Sequence, residues 1–271
     1  MKKALIASMA AVAALSPLSG QTTLPPAKID ISSLPPQANI IDNVVVPVPS
    51  EIFGVLDKLG KPAWAEVLRR NKDSKISSDQ AQIALQLGTV IAEGFIAVEA
   101  QDAAEVKKIG TSVRKLAKAI AVEKAVIDRA KAITDNADKK DWPGVRKELD
   151  GALKDVKKAM TELENDSLAH LVSVGGWLRG TEALTQVLGG KNFDKSGAEL
   201  LHQPMLLDYF DKRLKEVREK YKSNAVLTDV EKGVEDIRPL IGIENGDQIS
   251  EKSVKEVGDI TGRVIKTINS K

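Results

Sequence analysis

The sequence predicts an all-α protein: an antiparallel multi-helix bundle preceded by a proline-rich, extended or disordered N-terminal arm. Three observations lead there. From residue 50 to the end, apolar residues recur at three- and four-residue steps, the period of a half-buried helix. Capping residues and glycines punctuate those runs at the intervals that short helix–helix connections require. No stretch outside the arm alternates over strand length, and Asn245-Gly246 is the main hairpin-type dipeptide.

In chain order, Lys2-Lys3, the uncharged run Ala4–Leu15 and Ser16-Pro17-Leu18-Ser19-Gly20 have the layout of a secretory signal peptide over residues 1–20. The apolar run is shorter than the ~20 residues a membrane span needs. Residues 21–49 hold six of the chain's 11 prolines. Proline removes amide donors and fixes φ, so an extended arm is expected, with 39–48 apolar enough to lie on the folded domain.

The bundle then occupies residues 50–271, its most regular part spanning 78–222. Glu51–Leu59 and Pro62–Arg70 read as two short amphipathic pieces split by Gly60-Lys61. Ser77-Ser78-Asp79-Gln80 reads as a capping box opening a helix to about Gln101. Helices follow over Asp102–Ile120 and Val122–Ala137, and from Asp141 through Leu163, where Pro143 falls in the tolerant first turn. Leu168–Leu188 is next, closed by Gly189-Gly190. Ala198–Lys222 is expected to bend at Pro204. A short helix around Leu227–Ile237 stops before Pro239. Ser250 caps the last helix, with Ile249 and Val254 spaced as a hydrophobic staple.

Two segments lack the usual single apolar stripe. Ala81–Val98 is apolar nearly all round, with Glu93 its only charge; Leu171–Leu188 carries only Arg179 and Glu182. Both belong at the centre of a bundle. Ile91-Ala92-Glu93-Gly94 also aligns with Trp177-Leu178-Arg179-Gly180, a hint of a duplicated hairpin. Glycine weakens helices, so Gly88, Gly94, Gly176 and Gly180 imply close helix–helix approach, Gly176 and Gly180 being one turn apart. A buried charge needs a partner. Glu93 and Arg179 are therefore expected to pair across the central helices, with Glu182 as a local alternative for Arg179. Glu93, Trp177, Arg179 and Glu182 are the candidate ligand or ion-pair residues.

Composition removes many chemistries. There is no cysteine, hence no disulfide, thiolate metal site or Cys nucleophile. His170 and His202 are the only imidazoles, too few for most metal sites, and His170 reads as a satisfied core side chain. Asn192–Gly197 copies the first half of a calcium loop, but Gln203 stands where the bidentate glutamate belongs. Ser112-Val113-Arg114-Lys115 matches Ser-x-x-Lys without its companion motifs. The stretch 212–222 is basic and amphipathic, but Glu216 and Glu219 dilute its charge. No catalytic residue, metal ligand or cofactor is predicted.

Lysine plus arginine number 40 and Asp plus Glu 38; the leader removes Lys2 and Lys3, leaving 38 of each. A neutral chain has no electrostatic footprint for nucleic acid. Ala81–Val98 is nearly long enough to span a bilayer, but Glu93, Gln82 and Gln86 make that costly, so no stable transmembrane span is expected. The reading is a periplasmic or secreted, non-catalytic bundle that binds or scaffolds an envelope protein or polymer. Two alternatives stand beside it. One is a carrier of a small ligand, haem or an apolar molecule, between helices 81–98 and 171–188. The other is an envelope hydrolase using paired carboxylates.

Overall fold

A computed structural model describes residues 39–41, 44–46, 54, 62–69, 76–189, 193, 195–222, 224–242 and 248–270. The leader, most of the arm, the Glu51–Leu59 piece apart from Gly54, and part of the calcium-like loop lie outside them. The described residues form an all-α bundle. Its helices are α1 (Trp64–Val67), α2 (Gln80–Glu99), α3 (Ala103–Ala119), α4 (Ile127–Asp138) and α5 (Trp142–Glu162). They continue with α6 (Asp166–Leu188), α7 (Lys195–Ala198), α8 (Pro204–Lys220), α9 (Ala225–Ile241) and α10 (Glu251–Asn269).

The described residues of the arm are extended, in keeping with the expectation. Asn39–Ile41 and Val44–Val46 pair as an antiparallel ribbon, Ile40 opposite Val45, and the second strand lies beside α8. The β-branched run Ile40-Ile41 and Val44-Val45-Val46 suits a pleated backbone.

Helix α2 is the axis of the bundle. Every residue from Ala81 to Val98 is buried, and α2 packs against α1, α3, α5, α6, α9 and α10. It is the one described helix long and apolar enough to cross a membrane, and all of that length is inside the protein. Its principal partner is α6. A Cβ on Gly88 would lie 2.0 Å from the Val172 carbonyl oxygen, and one on Gly175 would lie 2.2 Å from that of Leu85. The two backbones touch. The expected Gly176–Gly180 face is corrected in detail: Gly175 makes the tightest contact on α6, whereas a Cβ on Gly180 meets open space.

Four successive connections use one geometry. Gln101, Ala121, Lys140 and Glu164 have φ of 54°, 62°, 58° and 54°, each just after a helix. Around them the amides of Asp102, Val122, Asp141 and Asn165 reach back to the carbonyls of Ala97, Ala117, Asn136 and Met160. This is the Schellman closure, here without glycine. In three of the four the residue after the left-handed one, Asp102, Asp141 or Asn165, caps the next helix, and the Asp102 and Asp141 carboxylates accept from the amides of Glu105 and Gly144.

Other boundaries differ from expectation. The cap of α2 is Asp79, whose Oδ1 accepts from the Gln82 amide at 2.8 Å, while Ser77 bonds Asp79 and the Gln82 side chain. A 3-10 turn, Glu123–Ala125, precedes α4. Pro204 starts α8 rather than bending a longer helix, since it occupies the first turn where a missing amide costs nothing. Pro239 does not end α9, which continues to Ile241. Ile249 and Val254 are both buried on either side of the Ser250 cap.

Gly88→Ala should lower stability by about 3 kcal/mol, the upper range for overpacking. Gly180→Ala should leave it unchanged or raise it by up to about 1 kcal/mol, the helix-propensity difference. Urea denaturation of both variants checks the contrast.

Candidate functional site

Where α2 and α6 run together, the only charges of the two apolar segments meet. Arg179 is 1% exposed, Glu93 5% and Glu182 3%. Arg179 Nε donates to Glu93 Oε2 at 2.5 Å, and its Nη1 donates to Glu182 Oε2 at 3.2 Å. Arg179 therefore takes both partners that the sequence offers as alternatives.

The network has further participants from the end of α1 and the residues just after it. Arg179 Nη2 donates to the Val67 carbonyl at 2.7 Å. The Arg69 amide donates to Glu93 Oε1 at 2.6 Å, and the Arg69 guanidinium pairs with Glu182 Oε1. These bonds explain why the expected Pro62–Arg70 helix is only one turn long. The Val67 carbonyl and the Arg69 amide are drawn to α6 and α2 instead of a helical ladder, and Leu68 is extended at φ −57°, ψ 121°. All four carboxylate oxygens are engaged, and two cations balance two anions. Burial raises the Glu93 carboxyl above its ordinary range, against the opposing pull of Arg179 and then Arg69.

Trp177 does not join this cluster. Two residues from Arg179, it projects about 200° around the helix. Its Nε1 donates to Gln203 Oε1 at 3.1 Å, and its ring tilts against Phe210 at 5.4 Å between centroids. Arg69 and the Val67 carbonyl are the participants that the sequence reading missed. The signal was charge arithmetic: two carboxylates and one guanidinium in apolar surroundings leave one cation owed.

The remaining candidates are also partnered. The Tyr209 hydroxyl lies 2.7 Å from His170 Nδ1, and His202 Nδ1 lies 2.8 Å from the Ile241 carbonyl. Burial keeps the Tyr209 phenol protonated well above its usual range. Burial also lowers the His170 pKa, with Lys157 acting in the same direction and Asp166 and Glu216 against it. Among the described residues no group of three or more His, Asp or Glu could hold a metal ion. Comparison of the chain with protein-family models, curated proteins and solved structures finds no match.

Two outcomes follow from this geometry. Arg179→Met leaves two buried carboxylates with Arg69 as their remaining partner and should cost about 3–5 kcal/mol, as breaking a buried pair does. Adding Glu93→Gln should recover part of that loss, so the double variant falls short of the sum of the singles in chemical denaturation. His170 is neutral in the fold, while the unfolded chain protonates it near its ordinary value of about 6.5. Its contribution is complete above that pH and declines as pH falls through the lower folded value. His170→Asn should therefore shrink the drop in melting temperature between pH 7.5 and pH 5.

Proposed function

We propose that this chain is an exported, non-catalytic helical bundle that binds or scaffolds an envelope protein or polymer of a bacterium. The observation that carries this reading is the saturation of the interior charges. Glu93, Glu182 and Arg179 spend their hydrogen-bonding capacity on one another and on residues 67–69, so no acid or base in the set is offered to a substrate.

The carrier alternative meets a physical obstacle at the same place. A carrier with its ligand between α2 and α6 requires their backbones to part at Gly88 and Gly175. For a hydrolase using paired carboxylates, Glu93 and Glu182 are an unsuitable pair, because Arg179 bridges them where sugar and water would have to enter. The Lys2-Lys3 leader and the neutral remainder of the chain support export and a role away from nucleic acid.

The test is expression of the full chain in a Gram-negative host. Intact-mass analysis should find loss of about the first 20 residues, a leader's usual length. The product should fractionate with the periplasm and form chemical cross-links to an envelope component in whole cells. An uncleaved chain in the cytosol, or turnover of an envelope polymer by the purified protein, would overturn the reading.

A further inference from the structure

A second face of α6 is lined differently from the one that carries Arg179. His170, Trp177 and Gly180 follow one another at steps of seven and three residues, so they share one side of the helix. Helix α8 borders that side: the Tyr209 hydroxyl lies 2.7 Å from His170 Nδ1, and the Phe210 ring lies 5.4 Å from that of Trp177 between centroids. Helix α5 also packs on α6 but barely on α8, so the two leave a trough over α6. Trp177 and Gly180 on its floor are half-buried, and among the described residues a Cβ added at Gly180 meets open space.

One cation stands at this trough without a counterion. Lys157 on α5 lies seven residues before the left-handed Glu164, and His170 lies six residues after it, so the tight turn sets the two level with each other. The Lys157 charge acts on the His170 ring. Among the described residues Lys157 makes no hydrogen bond or ion pair. Burial lowers its amine to about 8, and no carboxylate offsets that shift. Asp166 and Glu216, the acids of this corner, act on His170 and Tyr209 instead. At neutral pH the amine is still mostly charged, and a desolvated charge calls for a partner.

We propose that the trough between α5 and α8 is a binding site for a small organic acid, with the carboxylate on the Lys157 ammonium beside His170 and the apolar body laid along Trp177 to Gly180. A monoanion fits best, because Lys157 supplies one positive charge and burial holds His170 neutral; a second negative charge would be left without a partner. The floor beyond the amine offers an indole face and a glycine, which suits an unbranched hydrocarbon chain. Along α6 it is ~10 Å from His170 to Trp177 and ~15 Å to Gly180, at 1.5 Å per residue, the reach of an acid of medium length. This site lies outside the tight seam between α2 and α6, and it is a function separate from export and from any envelope partner.

The experiment is calorimetric titration of the purified full-length chain at pH 7 with octanoate and with 1-octanol, which shares the hydrocarbon and lacks the charge. Octanoate should bind with one-to-one stoichiometry and at least about tenfold more tightly than the alcohol. Lys157→Met should erase that preference while leaving the melting temperature unchanged or higher, since it removes a desolvated charge that has no partner in the fold. Gly180→Leu, which fills the open floor, should weaken acid and alcohol alike by at least about tenfold. Should Lys157→Met not fold, Lys157→Gln takes its place in the same comparison. No octanoate binding at millimolar concentration, equal affinity for acid and alcohol, a preference that survives loss of the amine, or an octanoate affinity untouched by Gly180→Leu would each overturn the proposal.

Discussion

The Arg179 guanidinium is the constraint around which the bundle is arranged. It is almost wholly removed from water, and its three nitrogens reach α2, its own helix and the last residue of α1. A charge in that position is tolerable only when its neighbours are fixed to within a fraction of an ångström. That requirement sets the register of α6 on α2 and stops α1 after one turn. It also gives Gly88 and Gly175 their purpose. A methyl group at either glycine would hold the two helices apart.

Around this pair the other helices fold back by repeated local means. Of the four left-handed turns between α2 and α6, those at Gln101, Lys140 and Glu164 end one helix and open the next within three residues, and the one at Ala121 leads into the 3-10 turn before α4. Such connections leave little freedom in the angle between neighbours. The antiparallel order of α2 to α6 is therefore largely a consequence of backbone geometry, while the deep contact between α2 and α6 is a consequence of side-chain size and charge.

The helical class, the two central segments and the Glu93–Arg179–Glu182 grouping were legible because each follows from a local pattern. An apolar period without a polar face marks α2 and α6, and lone charges inside such faces demand partners. What was not legible depends on distance or on exceptions. Nothing local links Arg69 to Glu93, 24 residues away. The turns at Gln101, Ala121, Lys140 and Glu164 lack the glycine that normally announces them. Trp177 shared a motif with Arg179 in the linear sequence, but a helix sends residues two apart to opposite sides. Pro239 shows the same limit: a missing amide near a helix end is tolerated when the preceding turns are well packed, and Ile237 and Ile241 are both buried.

The two ends of the bundle meet. The Gln82 side-chain amide donates to the carbonyls of Ile268 and Ser270 at 2.9 and 2.7 Å, and Gln86 donates to Ile268 at 3.2 Å. The last turn of α10 is thus terminated by the first turns of α2, while Asp79 bonds the Asn224 cap of α9. In topological terms the path from α2 to α10 is close to a closed circuit. Compact domains whose termini adjoin tolerate circular permutation, so the order in which these helices are synthesised is separable from the shape they share.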